Sequence, residues 1–461
     1  MVQAIIENPG EYQPVDIVLL AERALPCDGR PSIKDAAVAI RGGRIAAVGT
    51  RAALRDSIVT AKEQVNFGRA LILPGLVNGH THLEYTHAGP ARPDGNRTFA
   101  RWIEGLLTWS RQTTVEARLR SAYAGSEAVL RSGVTCVGEI VTAGQGLQAM
   151  ARSGLHGVAF CEFIGGYTDG GRTNITARLD DLVERAETAA ARIGHGTGIR
   201  IGVAPHAPYT VSEAALRSVT KLARTHGWPV ACHLAESSSE LEFLARGTGD
   251  IAEFMGRVLG LGRPLRPEVL RKSPADYVAA AGALALRGTA GAIWTTIIHG
   301  VHLSPGDIDR LATGKAGVVL CVRSNQMLNV GADAQIGRLA RADLTLGIGT
   351  DSLASNSDLD LFAEMRALHA VWVRQEPTLA ASQMAGRLLR MATLEGAATL
   401  GLAADMGSLT EGKRADLTVT DLPRAVSDAN WPLAIIEQLD ASRVIATLTD
   451  GYYRYTRPTT H

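Results

Sequence analysis

LILPGLVNGHTHLE, residues 71–84, is the stretch on which the reading of this chain turns. An apolar run through Pro74-Gly75 to Leu76-Val77 predicts a buried strand, and His80 and His82 stand at its end with one residue between them. Two residues apart on a strand means one face. Neutral imidazoles are good ligands for zinc and its neighbours, so the pair can grip one metal ion. Taken alone, a His-x-His pair is better read as two surface histidines in a loop; the rest of the chain reverses that reading.

At 461 residues there is room for one large barrel with a smaller lobe, or for about three average domains. Lys+Arg 47 against Asp+Glu 46 leaves no electrostatic case for nucleic acid or for an anionic membrane surface, so the expected partner is a small molecule. The first residues, MVQAIIENPGEYQPVDIVLL, lack a basic region followed by an apolar core, and no uninterrupted apolar stretch is long enough to span a bilayer. A cytoplasmic protein is expected. Cys27, Cys136, Cys161, Cys232 and Cys321 are scattered, odd in number and without paired spacing, as reduced core thiols are.

Outward from residue 71 in both directions the texture changes. Towards the start, VDIVLL and AAVAIRGGRIAAVG read as short strands with Gly42-Gly43 in a hairpin position, and GSLTEGKRADLTVTD and RVIATLTDGYYRY repeat that texture near the other end. Between them, apolar runs at 71–82, 133–140, 157–166, 199–210, 229–237, 295–303, 317–325 and 344–352 alternate with segments such as SEAALRSVTKLARTHG, whose apolar residues recur at helical spacing and which end in Gly. Eight strand-helix repeats predict an α/β fold: a (β/α)8 TIM barrel over 69–400, with a composite β-sandwich domain from residues 1–68 and 401–461. A doubly wound open sheet is the alternative, but the first unit has no G-x-G-x-x-G phosphate turn.

In a parallel barrel the residues that close each strand converge on one mouth. Here they are His80 and His82, Glu139, Glu162, His206, His233 with Glu236, His299 with His302, Arg323 with Asn325, and Asp351 with Ser352. A catalytic zinc takes three or four N and O ligands and keeps a position for water, and His80, His82, His233 and Asp351 supply such a set. Glu236, three residues past His233, is in place to act as general base and pass a proton to a leaving group. His299 is placed to hold or polarise an oxyanion, with orientation of Asp351 as its competing role. No lysine occurs from Glu63 through Thr220, so no carbamylated lysine can bridge two metals from the third and fourth strands. One divalent ion is expected, zinc or ferrous iron, activating water for attack on an sp² carbon.

Through PGLVNGHTH, HAPYTVS from His206, HLAES from His233, IIHGVHL and GTDSLASN, in this order, the chain resembles the amidohydrolase superfamily over nearly its whole length. The resemblance implies a distorted (β/α)8 TIM barrel with a composite β-sandwich domain from both termini and a mononuclear metal site at His80, His82, His233 and Asp351. It further implies proton transfer by Glu236 and His299, a substrate contact at His206, and a homodimer. HTHLE, Phe99 with Trp102, HAPYTVS and GTDSLASN are most similar to the deaminases of S-adenosylhomocysteine, methylthioadenosine and, above all, aminodeoxyfutalosine. Val322 departs from the proline of many relatives, which touches the substrate pocket and leaves the metal set alone.

Around the mouth, Glu84, Trp102, His206 and Arg323 are the candidate substrate contacts. Phe99 and Trp102, three apart on a predicted helix, suit ring stacking or core packing. Arg97 and Arg101 read as solvated. Arg323, at a strand end in an apolar mouth, calls for an anionic or polar partner. The chemistry expected is hydrolytic deamination of an adenine-type ring, with Glu236, His299 and Asp351 as the catalytic set. Hydrolysis of an amide, cyclic imide or aryl halide at the same site is the rival within enzymes, and a non-catalytic barrel scaffold the rival outside them.

Overall fold

The structure, a computed structural model, describes residues 17–89, 98–167, 175–193, 196–266, 272–284, 294–424, 427 and 430–458. Short runs rich in aliphatic residues build strands β1 (Ile17–Ala24), β2 (Ile33–Arg41), β3 (Arg44–Thr50) and β5 (Ala70–Pro74), and the alternating EQVN builds β4 (Glu63–Asn66). From Leu76 the runs are apolar on both faces, as strands covered on both sides are. They are β6 (Leu76–Thr81), β7 (Val134–Val141), β8 (His156–Phe163), β9 (Ile199–Pro205), β10 (Val230–Leu234), β11 (Thr295–His299), β12 (Gly317–Leu320) and β13 (Thr345–Ile348). The chain closes with β14 (Leu417–Asp421), β15 (Val444–Thr449) and β16 (Tyr452–Thr456).

Strands β6 to β13 lie side by side in sequence order, every pair parallel, and a parallel bridge between Thr81 and Asp351 joins the last to the first. This is the expected barrel. Val77, Ile140, Phe160, Ile298 and Val319 fill its interior together with Ala397, Leu400, Leu402 and Met406, while amphipathic helices such as Val115–Arg131 and Glu213–His226 pack their apolar faces around it. The seam depends on Gly349, where a Cβ would come 2.8 Å from His80 Cβ. Asn78 and Thr350 bond reciprocally across it, Nδ2 to Oγ1 at 2.7 Å and backbone N–H to Oδ1 at 3.1 Å.

Strands from the two ends form a second, mixed sheet in the order β16-β15-β14-β5-β1-β2-β3, with β4 also beside β1. Leu19, Val38, Ile72, Leu417, Val419 and Leu448 share one buried core, so strands of both ends face each other across it. The expected composite lobe is there. One detail differs: the run 71–82, read as a single barrel strand, divides at Gly75. Pro74 has no N–H to continue a ladder, and Gly75 N–H turns to the Asp416 carbonyl at 2.7 Å. β5 pairs with β1 and β14, so the chain passes from the mixed sheet to the barrel sheet at Pro74-Gly75-Leu76.

Barrel and lobe also meet through a buried ion cluster. His156, the first residue of β8, places Nδ1 2.7 Å from Asp416 Oδ2 and Nε2 3.2 Å from Asp450 Oδ2, and Arg414 spans both Asp450 oxygens at 2.8 Å. It lies at the amino ends of the strands, the face of a barrel that serves stability. The five cysteines are free and buried. No helix among the described residues is long and apolar enough to cross a membrane.

Candidate metal centre and active site

Six polar residues from four strand ends meet at the carboxyl end of the barrel. His80 Nε2 is 3.5 Å and His82 Nε2 3.7 Å from Asp351 Oδ1, His82 Nε2 faces His233 Nε2 at 3.4 Å, and His299 Nε2 is 3.5 Å from Glu236 Oε1. One set of donor atoms within 4.8 Å of one another comes from His80, His82 and His233, and another from His80, His299 and Asp351. The β6–β13 closure brings the two ends of the barrel together here, since Asp351 N–H donates to the His80 carbonyl at 3.1 Å. Ala235, His299 and Asp351, each at or just past a strand end, have left-handed φ of 53°, 71° and 58°. Such backbone costs of order 1 kcal/mol or more per residue and concentrates at functional sites.

Hydrogen bonds fix how each ring presents itself. His233 Nδ1–H donates to the His206 carbonyl at 3.1 Å, which leaves the Nε2 lone pair facing inward. His299 Nδ1–H donates to Asn325 Oδ1 at 2.9 Å and turns Nε2 to Glu236. Asp351 Oδ2 accepts from the hydroxyls of Ser324 at 2.7 Å and Ser355 at 2.8 Å, so Oδ1 stays on the histidine side. Glu139 accepts from Thr81 Oγ1 at 2.6 Å and Leu83 N–H at 3.0 Å, bracketing His82.

The donor set fits a divalent cation. Both ring nitrogens of His80 and Nδ1 of His82 are buried with no hydrogen-bond partner in the protein. Buried nitrogens left so are costly unless something accepts their lone pairs. Burial, then the neighbouring imidazoles, lower His82 to about 3 and push His233 well below the usual value, so these rings are neutral at physiological pH, as a metal site requires. Burial works against the charge of Asp351, but the His80 imidazole beside it more than offsets this and holds the carboxyl well below the usual range. Burial drives Glu236 well up, with the charges of Asp351 and Glu240 adding to it, and burial takes His299 down to about 4.

The proposed substrate contacts fare differently. His206 stays in the cluster, its ring 4.9 Å from that of His233 and Nδ1 2.7 Å from Thr210 Oγ1. Glu84 is fully buried, accepts from the backbone N–H groups of Gly146 at 3.0 Å and Ala143 at 3.2 Å, and has Arg118 at 3.8 Å. It ties two mouth loops together. Trp102 belongs to a mouth-side core with Phe99, Tyr209 and Phe254, and its indole N–H donates to the Ala354 carbonyl at 3.1 Å. That placement is the core packing weighed against ring stacking. Arg323 has its polar partner within the chain: Asp358 takes both guanidinium nitrogens, at 2.6 and 2.9 Å, and Ser357 Oγ takes one at 2.5 Å. It braces the loop after Asp351. His302, also at a strand end, bonds the Val330 carbonyl at 2.7 Å instead of joining the cluster. Arg101 pairs at the surface with Glu104, and Arg97 lies outside the described residues.

Sequence reasoning passed over Asn325 as a partner of His299, the two serines on Asp351, and Glu240. Only Glu240 left a signal, the S-x-x-E pattern of Ser237 and Glu240 at a helix start.

Comparison with known proteins agrees with this geometry. A model of the amidohydrolase family matches residues 71–451, and one of a bacterial imidazolonepropionase-like composite domain matches residues 36–57. The chain is 32% identical over 415 residues to a 5-methylthioadenosine/S-adenosylhomocysteine deaminase of Nitratidesulfovibrio vulgaris, covering 89% of this chain and 84% of the relative. It is 30% identical over 350 residues to an aminodeoxyfutalosine deaminase of Deinococcus radiodurans, 74% and 77% of the two chains. An adenosine deaminase structure from Xanthomonas campestris with bound zinc superposes with TM-score 0.74 at 25% identity, over 97% of this chain and 95% of that one. Helicobacter pylori aminofutalosine deaminase shares the fold, with TM-score 0.77 at 23% identity over 95% and 99%. With a barrel closed at its histidine-bearing seam and a family match that runs from β5 to the β15–β16 turn, the chain belongs to the amidohydrolase family.

Proposed function

We propose that this protein is a metal-dependent hydrolytic deaminase of an adenine nucleoside of the methylthioadenosine, S-adenosylhomocysteine or aminodeoxyfutalosine class. The observation that carries the reading is the clustering of the His80, His82 and His233 Nε2 atoms with one carboxylate, His80 Nε2 having no hydrogen-bond partner in the protein, with the buried carboxyl of Glu236 alongside. The names of the relatives support the substrate class. His80, His82, His233 and Asp351 would hold the ion, and zinc is the ion we assign, in line with the zinc-bound neighbour; ferrous iron suits the same donors. When bound, a divalent ion supplies Lewis-acid activation of water.

The chain's own residues do the rest. Glu236 takes the proton released as water adds to the carbon bearing the exocyclic amine and gives it to the adjacent ring nitrogen, then takes the remaining hydroxyl proton of the tetrahedral adduct and passes it to the departing amine. Water enters, ammonia leaves, and the ring becomes a lactam. His299, held by Asn325, faces Glu236 and the developing oxyanion. Asp351, held by Ser324 and Ser355, presents one fixed oxygen to that site.

The test is ammonia release by the zinc-loaded protein from adenosine, methylthioadenosine, S-adenosylhomocysteine, aminodeoxyfutalosine, guanine and a pterin. Turnover of one adenine nucleoside with guanine and the pterin slow is expected. Silence on the whole panel with one metal bound per chain would overturn the reading in favour of amide or halide hydrolysis.

A further inference from the structure

We infer that Glu240 is a positioning residue that sets the orientation of Glu236; the inference rests on the deaminase reading above. Glu240 is completely buried, four residues past Glu236, on the first turn of the helix Ser238–Arg246. Ser237 caps that helix, its side chain accepting from Glu240 N–H at 3.2 Å. In an ordinary capping box the glutamate at the third helical position reaches back to the N–H of the cap residue itself. Here the carboxylate reaches further. Its Oε1 accepts from Ala235 N–H at 2.7 Å and its Oε2 from Glu236 N–H at 3.0 Å.

Those two amides belong to the turn that follows β10, outside the helix. Ala235 sits there at φ 53°, a conformation that a residue with a side chain keeps only when its surroundings impose it. Two hydrogen bonds to one carboxylate impose it from one side. From the other side the Ala235 carbonyl accepts from His302 N–H at 2.9 Å, which ties the same turn to the end of β11. The left-handed step directs Glu236 back over the mouth, with Oε1 3.5 Å from His299 Nε2. A helix start that needs only Ser237 as its cap therefore spends a buried carboxylate on holding the backbone of the proton-transferring residue. Without it, the peptide joining Ala235 to Glu236 is free to relax to ordinary backbone and carry the Glu236 side chain away.

Glu240→Gln keeps the volume but replaces one acceptor oxygen with a donor, leaving one of the two amides unpaired. Misplacement by about 1 Å costs on the order of 100-fold, so kcat should fall by that factor while KM stays within about twofold and one metal per chain is retained. Glu240→Asp, one methylene short but with both acceptors, should fall between the two proteins. Ser237→Ala weakens the same helix start without touching either amide and should keep its kcat. Crystal structures of the wild type and Glu240→Gln give a readout independent of turnover: Ala235 φ and the Glu236 to His299 separation should change. Unchanged kcat in both Glu240 variants, Ala235 and Glu236 unmoved, or an equal kcat loss in Ser237→Ala would each overturn the inference. If the wild type deaminates nothing, the reaction assigned above fails, while a displaced Glu236 in the variant crystal still upholds the positioning role and an undisplaced one refutes it.

Discussion

Raising the pH from about 7 to about 10 singles out the ion cluster between barrel and lobe, because His156 is the member of that cluster that loses its charge in this range. Burial alone would lower its pKa, but the charge and hydrogen bond of Asp416, followed by those of Asp450, raise it from 6.5 to about 9. Arg414 and Arg454 complete the charged groups around it, and the nearby Cys136 thiol is pushed well up by burial and by Asp416. A raised imidazole pKa means that the folded state holds the proton more tightly than the unfolded chain. The stabilisation is therefore present in full below the ordinary value, mostly retained at neutrality, and lost as pH rises through about 9. At 1.36 kcal/mol per pKa unit the displacement is worth about 3 kcal/mol when complete. His156 is 2% exposed, so solvent screening takes little from that figure. Urea unfolding at the two pH values, for the wild type and for His156→Gln, makes the measurement. The wild type should lose about 2 to 3 kcal/mol more than the variant over this interval, and at neutral pH the variant should already be weaker by about 3 to 5 kcal/mol, the usual cost of a broken buried pair. Should His156→Gln not fold, the wild-type stability curve must still show a loss that sets in near neutrality and levels off above about pH 9. Parallel losses in wild type and variant, or a flat wild-type curve, would refute the reasoning.

Three other outcomes follow from the site. Glu236→Gln should keep one metal per chain, measured by elemental analysis, while kcat drops by about 10² to 10⁴-fold; full turnover would remove Glu236 from the proton-transfer role. Asp351→Asn should bind metal at least about 100-fold more weakly in equilibrium dialysis, and a chelator should stop the wild type until zinc is returned; undiminished metal content in the variant would place the ligands elsewhere. Arg323→Met should leave KM within about twofold and cost about 1 kcal/mol of stability, a small figure because Asp358 is half exposed. A large rise in KM with unchanged stability would restore Arg323 as a substrate contact.

The barrel was legible because each of its eight strands is covered on both faces, so the runs stand out as uninterrupted apolar stretches with a helical pattern between them. The candidate metal set was legible for a related reason. His80, His82, His233 and Asp351 each end such a run, and parallel strands carry their ends to one mouth. The run 71–82 misled because LILP and LVNGHT follow one another as a single buried strand-like run; which sheet each joins depends on where Gly75 N–H finds its carbonyl, and that carbonyl belongs to Asp416, far along the chain.

The substrate contacts divided along the same line. A polar residue near the mouth looks available in sequence, but whether it faces substrate depends on which partners the fold brings to it. Glu84 met two backbone amides, Trp102 the Ala354 carbonyl and Arg323 the Asp358 carboxylate. What the sequence determined by itself is the period and order of the elements, and with them the strand-end residues that converge, because side-chain direction along a strand is a local property. What only the tertiary structure decided is the hydrogen-bond bookkeeping around them: Asn325 on His299, Ser324 and Ser355 on Asp351, Glu240 under Ala235 and Glu236, His156 between Asp416 and Asp450. Most of these partners are brought together by strand pairing and barrel closure rather than by spacing along the chain, and desolvation by the packed fold gives each of them its energetic weight.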